Sequence, residues 1–275
     1  MTRIALFQSR TGIDPAANAR SLVAAIGEAA SGGAEMLFTP EMSGLLDRDK
    51  ERAGGNARSE ADDEVLAACR EAARANGLWL HLGSLALQTG DGKLANRAFV
   101  IDSDGEIRAR YDKIHLFDVD LPTGERWRES AFYAGGSQAV TVDGTPVGRL
   151  GLTICYDLRF PALFERLTEA GAQVVAVPAA FTVLTGQAHW HVLLRARAIE
   201  AGVFVIAAAQ HGSHEDGRET YGHSLLVDPW GEILLDMGTS TGVGFAELDL
   251  GKVEEVRQRV PALSHRRAIG EAARH

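Results

Sequence analysis

Short apolar runs alternate along this chain with longer stretches in which apolar residues recur every three or four positions. RIALFQ (3–8), MLFTPE (36–41), LWLHLGSLALQ (78–88), AQVVAVPAAF (172–181) and VFVIAAAQ (203–210) have the length and apolar density of buried strands. Between them, DPAANARSLVAAIGEAASGG (14–33), DDEVLAACREAARANG (62–77), FPALFERLTEAG (160–171) and HWHVLLRARAIEAG (189–202) carry the helical period, the first three with an Asp or Pro near the start and all four with a Gly at the end. NRAFVIDSDGEIRARYDK predicts a hairpin turning at Asp104-Gly105, and HSLLVDPWGEILLDM a second turning at Asp228–Gly231. Strands that alternate with helices from end to end predict a layered α/β protein.

No Ser/Pro/Gly-rich linker or repeat of solenoid length divides the pattern, so residues 1–275 read as one domain. Residues 43–59 and 116–136 are long, polar and Gly-containing, as binding loops often are. The charged tail, about 251–275, is partly helical and is expected to pack on a neighbouring subunit more readily than on its own core.

Composition narrows the partners. A formal net charge of −9 and a pI near 5.5 argue against nucleic acid and anionic membrane, which reward clustered Lys and Arg. A small solute or another protein fits better. The opening MTRIALFQSRTG has an apolar segment too short for a signal-peptide core, and two cysteines make a disulfide framework improbable. The expectation is a cytoplasmic protein.

The two cysteines differ in setting. Cys69 falls on the apolar face of its helix with Val65, Leu66 and Ala72, as a buried cysteine does. Cys155 stands in LTICYDLRFP, where a strand gives way to a helix that starts near Pro161; such a turn can lift a nucleophile out of a sheet and leave backbone N–H groups free around it. A cysteine nucleophile needs a base and donors for an oxyanion. Glu41 ends the strand of MLFTPE much as Cys155 ends its own, and sites in parallel α/β sheets form at such strand ends. Lys113, in RARYDKIHLFD, is a solvated loop charge if taken alone and a third member of the site if the strands converge. Asp157 and Arg159 read either as a substrate-carboxylate grip or as a buried ion pair bracing the cysteine turn, the latter being favoured. His211 and His214 read as part of an exposed loop, and Trp230 as packing.

A Glu in FTPEM, a Lys in YDKIHLFD and a Cys in CYDLRFP, in that order, resemble the Glu–Lys–Cys signature of the nitrilase superfamily, the carbon–nitrogen hydrolases. The similarity continues through TGQAHWHVLLRARAIE, YGHSLLVDPWG and VPALSHRR. LLRARAIE, VIAAAQ and YGHSLLVDPWGE are similar to the branch of deaminated glutathione amidases, sister to the ω-amidases. The resemblance implies a four-layer α-β-β-α sandwich, a homodimer or higher homo-oligomer, and no metal or organic cofactor. It implies that Cys155 is the nucleophile, Glu41 the base and Lys113 the cation facing the tetrahedral intermediate, with Glu129 or the nearby Glu125 as a second glutamate. Burial is expected to raise the pKa of Glu41 toward that of the thiol. Tyr156, Phe181, Thr182 and His189 are expected in the substrate-binding wall, and at most one of Arg195 and Arg197 in the pocket. The implied reaction is hydrolysis of a small-molecule amide, deaminated glutathione to 2-oxoglutarate and Cys-Gly. The alternatives are ω-amidase action on 2-oxoglutaramate, another small-amide or N-carbamoyl hydrolysis, and a non-catalytic binding protein. The chain departs from the family pattern at Ala134-Gly135-Gly136, where a Pro-Gly is common, and at Gln187 and His191, where Pro and Glu are common.

Overall fold

A computed structural model describes every residue except 91, 123, 125 and 275. The first part of the chain runs β1 (Thr2–Gln8), α1 (Pro15–Ser31), β2 (Met36–Phe38), α2 (Lys50–Asn56), α3 (Glu64–Asn76), β3 (Trp79–Gln88), β4 (Leu94–Ile101) and β5 (Ile107–Asp112). A ribbon of β6 (Asp118–Asp120) and β7 (Arg126–Arg128) and the short β8 (Tyr133–Ala134) lead to the second part. That part runs β9 (Val140–Thr145), β10 (Gly148–Leu152), α4 (Pro161–Glu169), β11 (Val174–Ala176), α5 (Val183–Ala201), β12 (Phe204–Ala207), the ribbon β13 (His211–Ser213) and β14 (Glu219–Tyr221), β15 (Leu225–Val227) and β16 (Ile233–Asp236). The chain then returns through β17 (Gly242–Leu248) and ends its regular structure with α6 (Gly251–Arg259).

Each part builds its own sheet. One has the order β17-β1-β2-β3-β4-β5, with β8 against β4, and the other the order β16-β15-β12-β11-β10-β9. β17 pairs antiparallel with β1 from Thr2 opposite Leu248 to Gln8 opposite Gly242, so the last strand locks the first sheet after the second is complete.

Alternation along β1 shows how the layers stack, because successive strand residues face opposite ways. Ala5 and Phe7 join Leu22, Ile26, Val65, Leu66 and Cys69 in a core between the first sheet and helices α1 and α3. Ile4 and Leu6 join a larger core with Leu150, Leu152, Val174 and Val205 of the second sheet, and that core continues to Leu163, Leu167, Trp190 and Leu194 of α4 and α5. The result is the expected α-β-β-α sandwich.

The polar stretches 43–59 and 116–136 contain α2 and the β6–β7 ribbon. Two expectations from the sequence change. His211 and His214 belong to the β13–β14 ribbon, where His214 is buried and bonded to Thr11 O at 2.9 Å and Thr220 Oγ1 at 2.7 Å. The start of the tail packs on its own chain: Val253 and Val256 of α6 are buried, and Arg257 donates to Gly202 O and Ala172 O. Two valines spaced for one helix face and an arginine that reaches carbonyls suffice to dock a short helix, whereas residues 264–274 are all exposed and, Ile269 apart, polar, small or charged.

Candidate active site

β2 delivers Thr39, Pro40 and then Glu41 into a turn packed against β3. Thr39 donates its N–H to His81 O at 3.0 Å, its hydroxyl oxygen accepts Gly83 N at 3.0 Å, and Ser84 Oγ accepts Met42 N at 2.9 Å. A side chain on Gly83 would collide with Thr39 O at 2.1 Å and Pro40 O at 2.4 Å, so the turn can lie this close only over a glycine.

Lys113 follows β5 and points into the same space, where it is almost wholly buried. Its Nζ donates to Glu41 Oε1 at 2.8 Å and to Glu129 Oε1 and Oε2 at 3.0 and 2.9 Å. Asn96, on β4, bridges the two carboxylates from the other side, at 2.9 Å from Glu41 and 3.2 Å from Glu129. Ala180 N donates to the remaining Glu41 oxygen at 3.0 Å, and Phe117 N to Glu129 Oε2 at 2.6 Å. Gly136 closes the other side: its N–H donates to Lys113 O at 2.8 Å, and a Cβ there would meet Asp112 O at 2.2 Å.

Cys155 opens a 3₁₀ turn, Cys155–Arg159, between β10 and α4. Its φ of +49° lies in the left-handed region, uncommon outside glycine. The turn is held there from beneath. Cys155 N donates to Pro178 O at 2.9 Å, and the buried Asp157 carboxylate accepts Ile154 N at 2.9 Å, Tyr111 Oη at 2.7 Å, and His115 through both its backbone N–H and Nδ1. Within this turn the left-handed residue is the one whose sulfur faces the pocket, and across the pocket Met42, next to Glu41, has φ +56°.

The charges are strongly coupled. Burial alone would raise the pKa of Glu41, but the Lys113 ammonium, helped by donors from Cys155 and Asn96, holds it below its ordinary value. That reverses the expected sign, because a cation at 2.8 Å outweighs desolvation. Burial works against the Lys113 charge, yet Glu129 and Glu41 together raise its pKa well above normal. Burial pushes the Cys155 thiol well up, and the Glu41 charge pushes it further. The resting site is therefore carboxylate, ammonium and neutral thiol.

These groups line one pocket of about 480 Å³, whose wall includes Tyr156, Phe181 and Thr182. His189 does not line it: the side chain is exposed on α5 and reaches the site only through Arg159, its Nδ1 lying 3.3 Å from Arg159 Nη2. Glu125 lies outside the described residues. Arg159 does not pair with Asp157, whose oxygens are taken by Tyr111, His115 and Ile154; it lies over the Phe181 ring at 5.4 Å, on the pocket wall. Arg195 and Arg197 face away, to Gly231 O and Leu158 O. Trp230 is more than half exposed at its turn and does not pack. Sequence reasoning passed over Asn96 and Tyr111, and weighed His115 only as one of several possible bases. A lone Asn inside the apolar LANRAFVI was the available signal, since a buried amide needs partners.

A carbon-nitrogen hydrolase family model matches residues 3–258. The chain is 41% identical over 240 residues to the deaminated glutathione amidase of Yersinia enterocolitica, covering 86% of this chain and 83% of that protein. It is 43% identical over 236 residues to the nitrilase and fragile histidine triad fusion protein NitFhit of Caenorhabditis elegans, covering 85% of this chain but only 53% of that protein. The NitFhit crystal structure superposes with a TM-score of 0.89 at 41% identity, over 97% of this chain and 65% of that one. A mutant of the amidase from Nesterenkonia sp. AN1, with the acetamide moiety of fluoroacetamide added covalently at its active-site cysteine, gives a TM-score of 0.82 at 28% identity, over 97% and 94% of the two chains.

Proposed function

The chain belongs to the carbon–nitrogen hydrolase family and is a hydrolase of C–N bonds other than peptide bonds, and from this we propose that it cleaves deaminated glutathione to 2-oxoglutarate and Cys-Gly through a thioester on Cys155. The observation that carries the reading is the buried cluster of Glu41, Lys113 and Glu129 beside a cysteine at a strained turn, on one pocket.

In this reading Cys155 Sγ attacks the amide carbonyl while its proton passes to Glu41. The high thiol pKa and low Glu41 pKa leave little free thiolate, so proton transfer accompanies attack, driven by the charge that grows on the carbonyl oxygen. Lys113 Nζ and the Tyr156 N–H, in the first turn of the 3₁₀ segment, meet that oxygen. Glu41 returns the proton to the departing nitrogen as the C–N bond breaks, leaving the S-acyl enzyme. Water then gives a proton to Glu41 and its oxygen to the acyl carbon, the C–S bond breaks, and the proton ends on sulfur. Glu129, bonded to Lys113 through both oxygens, holds the ammonium in place as the Glu41 charge comes and goes.

The proposed substrate carries a carboxylate at each end. The pocket wall offers Arg159, Arg48 over Trp127, and Lys50 over Phe132 as cations stacked on rings. Several relatives between 38% and 48% identical bear the name deaminated glutathione amidase. The test is an assay of deaminated glutathione, 2-oxoglutaramate, N-carbamoyl amino acids and simple nitriles, scoring Cys-Gly against ammonia. Preferential ammonia release from 2-oxoglutaramate would make it an ω-amidase; slow turnover of every amide would revive the binding-protein reading. Arg159→Ala should raise KM for carboxylate-bearing amides and leave neutral amides nearly unaffected.

Self-association has support in the exposed Val192 and Ile199 on α5 and Trp230, Ile233 and Leu234 beyond it, an apolar face suited to a second copy. Among the described residues no helix is long and apolar enough to cross a membrane, and a cytoplasmic setting agrees with the unpaired Cys69 and Cys155.

A further inference from the structure

A second cluster of reactive side chains stands apart from the pocket. His191 on α5, His223 in the turn before β15 and Asp236 at the end of β16 come together from three elements. His191 Nε2 lies 3.1 Å from Asp236 Oδ2, His223 Nδ1 lies 2.9 Å from Asp236 Oδ1, and the three ligand atoms all fall within 4.8 Å of one another. Their side chains are 29%, 22% and 33% exposed, open enough to admit an ion from solvent.

The fold holds these donors in place. His223 has φ +54°, and its backbone is fixed on both sides: its N–H donates to Gly238 O at 2.8 Å, and its carbonyl accepts the buried Trp190 Nε1 at 2.8 Å. Trp190 directly precedes His191, so one contact sets the position of both histidines. Tyr221 stacks on the His223 ring at 4.5 Å, and Gly238 N donates to Asp236 Oδ1 at 2.8 Å.

Two imidazole nitrogens and a carboxylate form a donor set suited to zinc and its neighbours. A tetrahedral ion with bonds of about 2.0–2.2 Å places its ligand atoms roughly 3.3 Å apart. Measured to one oxygen, Asp236 Oδ2, the edges from His191 Nε2 and His223 Nδ1 are 3.1 and 3.2 Å, already nearly that length. The third, between the two ring nitrogens, is within 4.8 Å. We propose that His191, His223 and Asp236 bind a divalent transition-metal ion, with water at the position left open. On binding, each ring carries its proton on the nitrogen away from the cluster, His191 on Nδ1 and His223 on Nε2, and the displaced N–H···O bonds become bonds to the metal. The ion ties α5 to β16. Since Thr182 and Thr185 at the start of α5 line the pocket, it braces one pocket wall without touching the reacting groups.

The test uses the full untagged chain carrying Cys155→Ala, so that the site thiol does not compete for metal. After EDTA treatment and dialysis, zinc chloride is titrated calorimetrically, and cobalt(II) by visible absorption. The expected result is one ion per chain, a four-coordinate cobalt spectrum, and a rise in Tm on zinc addition. His191→Ala and Asp236→Asn should each weaken binding by at least about tenfold, as loss of a ligand exceeds the effect of losing an outer-shell partner. His265→Ala, an exposed histidine on the tail, should bind as the parent does. Circular dichroism of His191→Ala confirms the fold. Binding well below one ion per chain, or equal affinity in all the variants, would overturn the proposal and leave the cluster an ion pair only. Neither outcome depends on amide turnover.

Discussion

Tyr111 donates its hydroxyl to Asp157 at 2.7 Å, fastening the strand that leads to Lys113 in one sheet to the turn that carries Cys155 in the other. Burial raises the phenol pKa and the adjacent carboxylate raises it further, so the group is always the donor. Tyr111→Phe should cost about 1.5–3 kcal/mol, the range for a hydrogen bond to a charged group, and should lower kcat by loosening the Cys155 turn. Urea unfolding and steady-state kinetics check both. A loss below about 0.5 kcal/mol with normal kcat would mean the His115 and Ile154 bonds suffice.

The two cysteines should separate cleanly. Cys155→Ala should abolish turnover and the acyl adduct seen by mass spectrometry, while stability changes little, because the side chain sits at a turn on the pocket. Cys69, fully buried with its pKa pushed up to about 12 by desolvation, is an inert core residue. Cys69→Ala should cost about 1 kcal/mol and leave kcat nearly unchanged. Acylation that maps to Cys69 would refute the assignment.

The alternation of strands and helices was readable because run length and helical period are local properties, whereas the four-layer stacking came from the family resemblance: Ile4, Ala5, Leu6 and Phe7 are all apolar, and only the structure shows Ile4 and Leu6 in one core and Ala5 and Phe7 in the other. Glu41 and Cys155 stood out because each follows an apolar run that gives way to polar, turn-forming residues, whereas Lys113 alone read as a solvated loop charge and was singled out through the family resemblance. What remained hidden depends on pairing between distant segments. Nothing near Asp157 in sequence shows that Tyr111 and His115 occupy its oxygens and so free Arg159 to face the pocket. The sign of the Glu41 pKa shift was hidden for the same reason, since burial is guessed from local sequence but a lysine 72 residues away is not. His189 misled because its helix face depends on where α5 begins.

Gly83 offers a test of how tightly Glu41 is placed. Its missing side chain leaves room for the carbonyls of Thr39 and Pro40, and these backbone atoms cannot yield as a flexible side chain could. Gly83→Ala should displace the Thr39–Glu41 turn, reduce kcat by about 10²-fold or more as a misplaced catalytic group does, and lower Tm. Normal kinetics in a folded Gly83→Ala chain would show that the turn has slack the geometry does not suggest.

His81 should make the protein sensitive to acid. It is fully buried on β3, near Phe38, and burial pushes its pKa from 6.5 down to about 3. The folded state resists the proton that the unfolded state accepts. Stability is therefore complete above about pH 6.5 and falls as pH drops toward about 3, by about 1.4 kcal/mol per pH unit from this residue. His81→Leu should flatten that slope and be the more stable chain at pH 5, by about 2 kcal/mol. Urea midpoints of both chains at pH 7 and pH 5 decide it; parallel slopes would remove His81 from the account.

The pH dependence of the Glu41–Lys113 pair follows from its two opposite shifts. Glu41 is held below its ordinary value of 4.5, so its contribution to stability is complete above 4.5 and is lost as pH falls through the lower folded value. Lys113 is held above its ordinary 10.5, so its contribution is complete below 10.5 and is lost only as pH rises through the higher folded value. Both groups stay charged across the neutral range, and kcat/KM should form a broad plateau whose acid edge lies below about pH 5. Glu41→Gln keeps the shape but cannot take a proton, and should lose about 10²–10⁴-fold in turnover while Glu129 still neutralises Lys113. Lys113→Met leaves two facing carboxylates without their cation, so one of them takes up a proton and the acid edge of any residual activity should move to higher pH. Raising the pH then restores the Glu41 charge but not the ammonium that meets the oxyanion, and the plateau stays low. A profile of kcat/KM from pH 4 to 9 for the three chains tests this directly. A wild-type acid edge between about pH 6 and 7, unmoved in Lys113→Met, would assign the base to a histidine and not to Glu41.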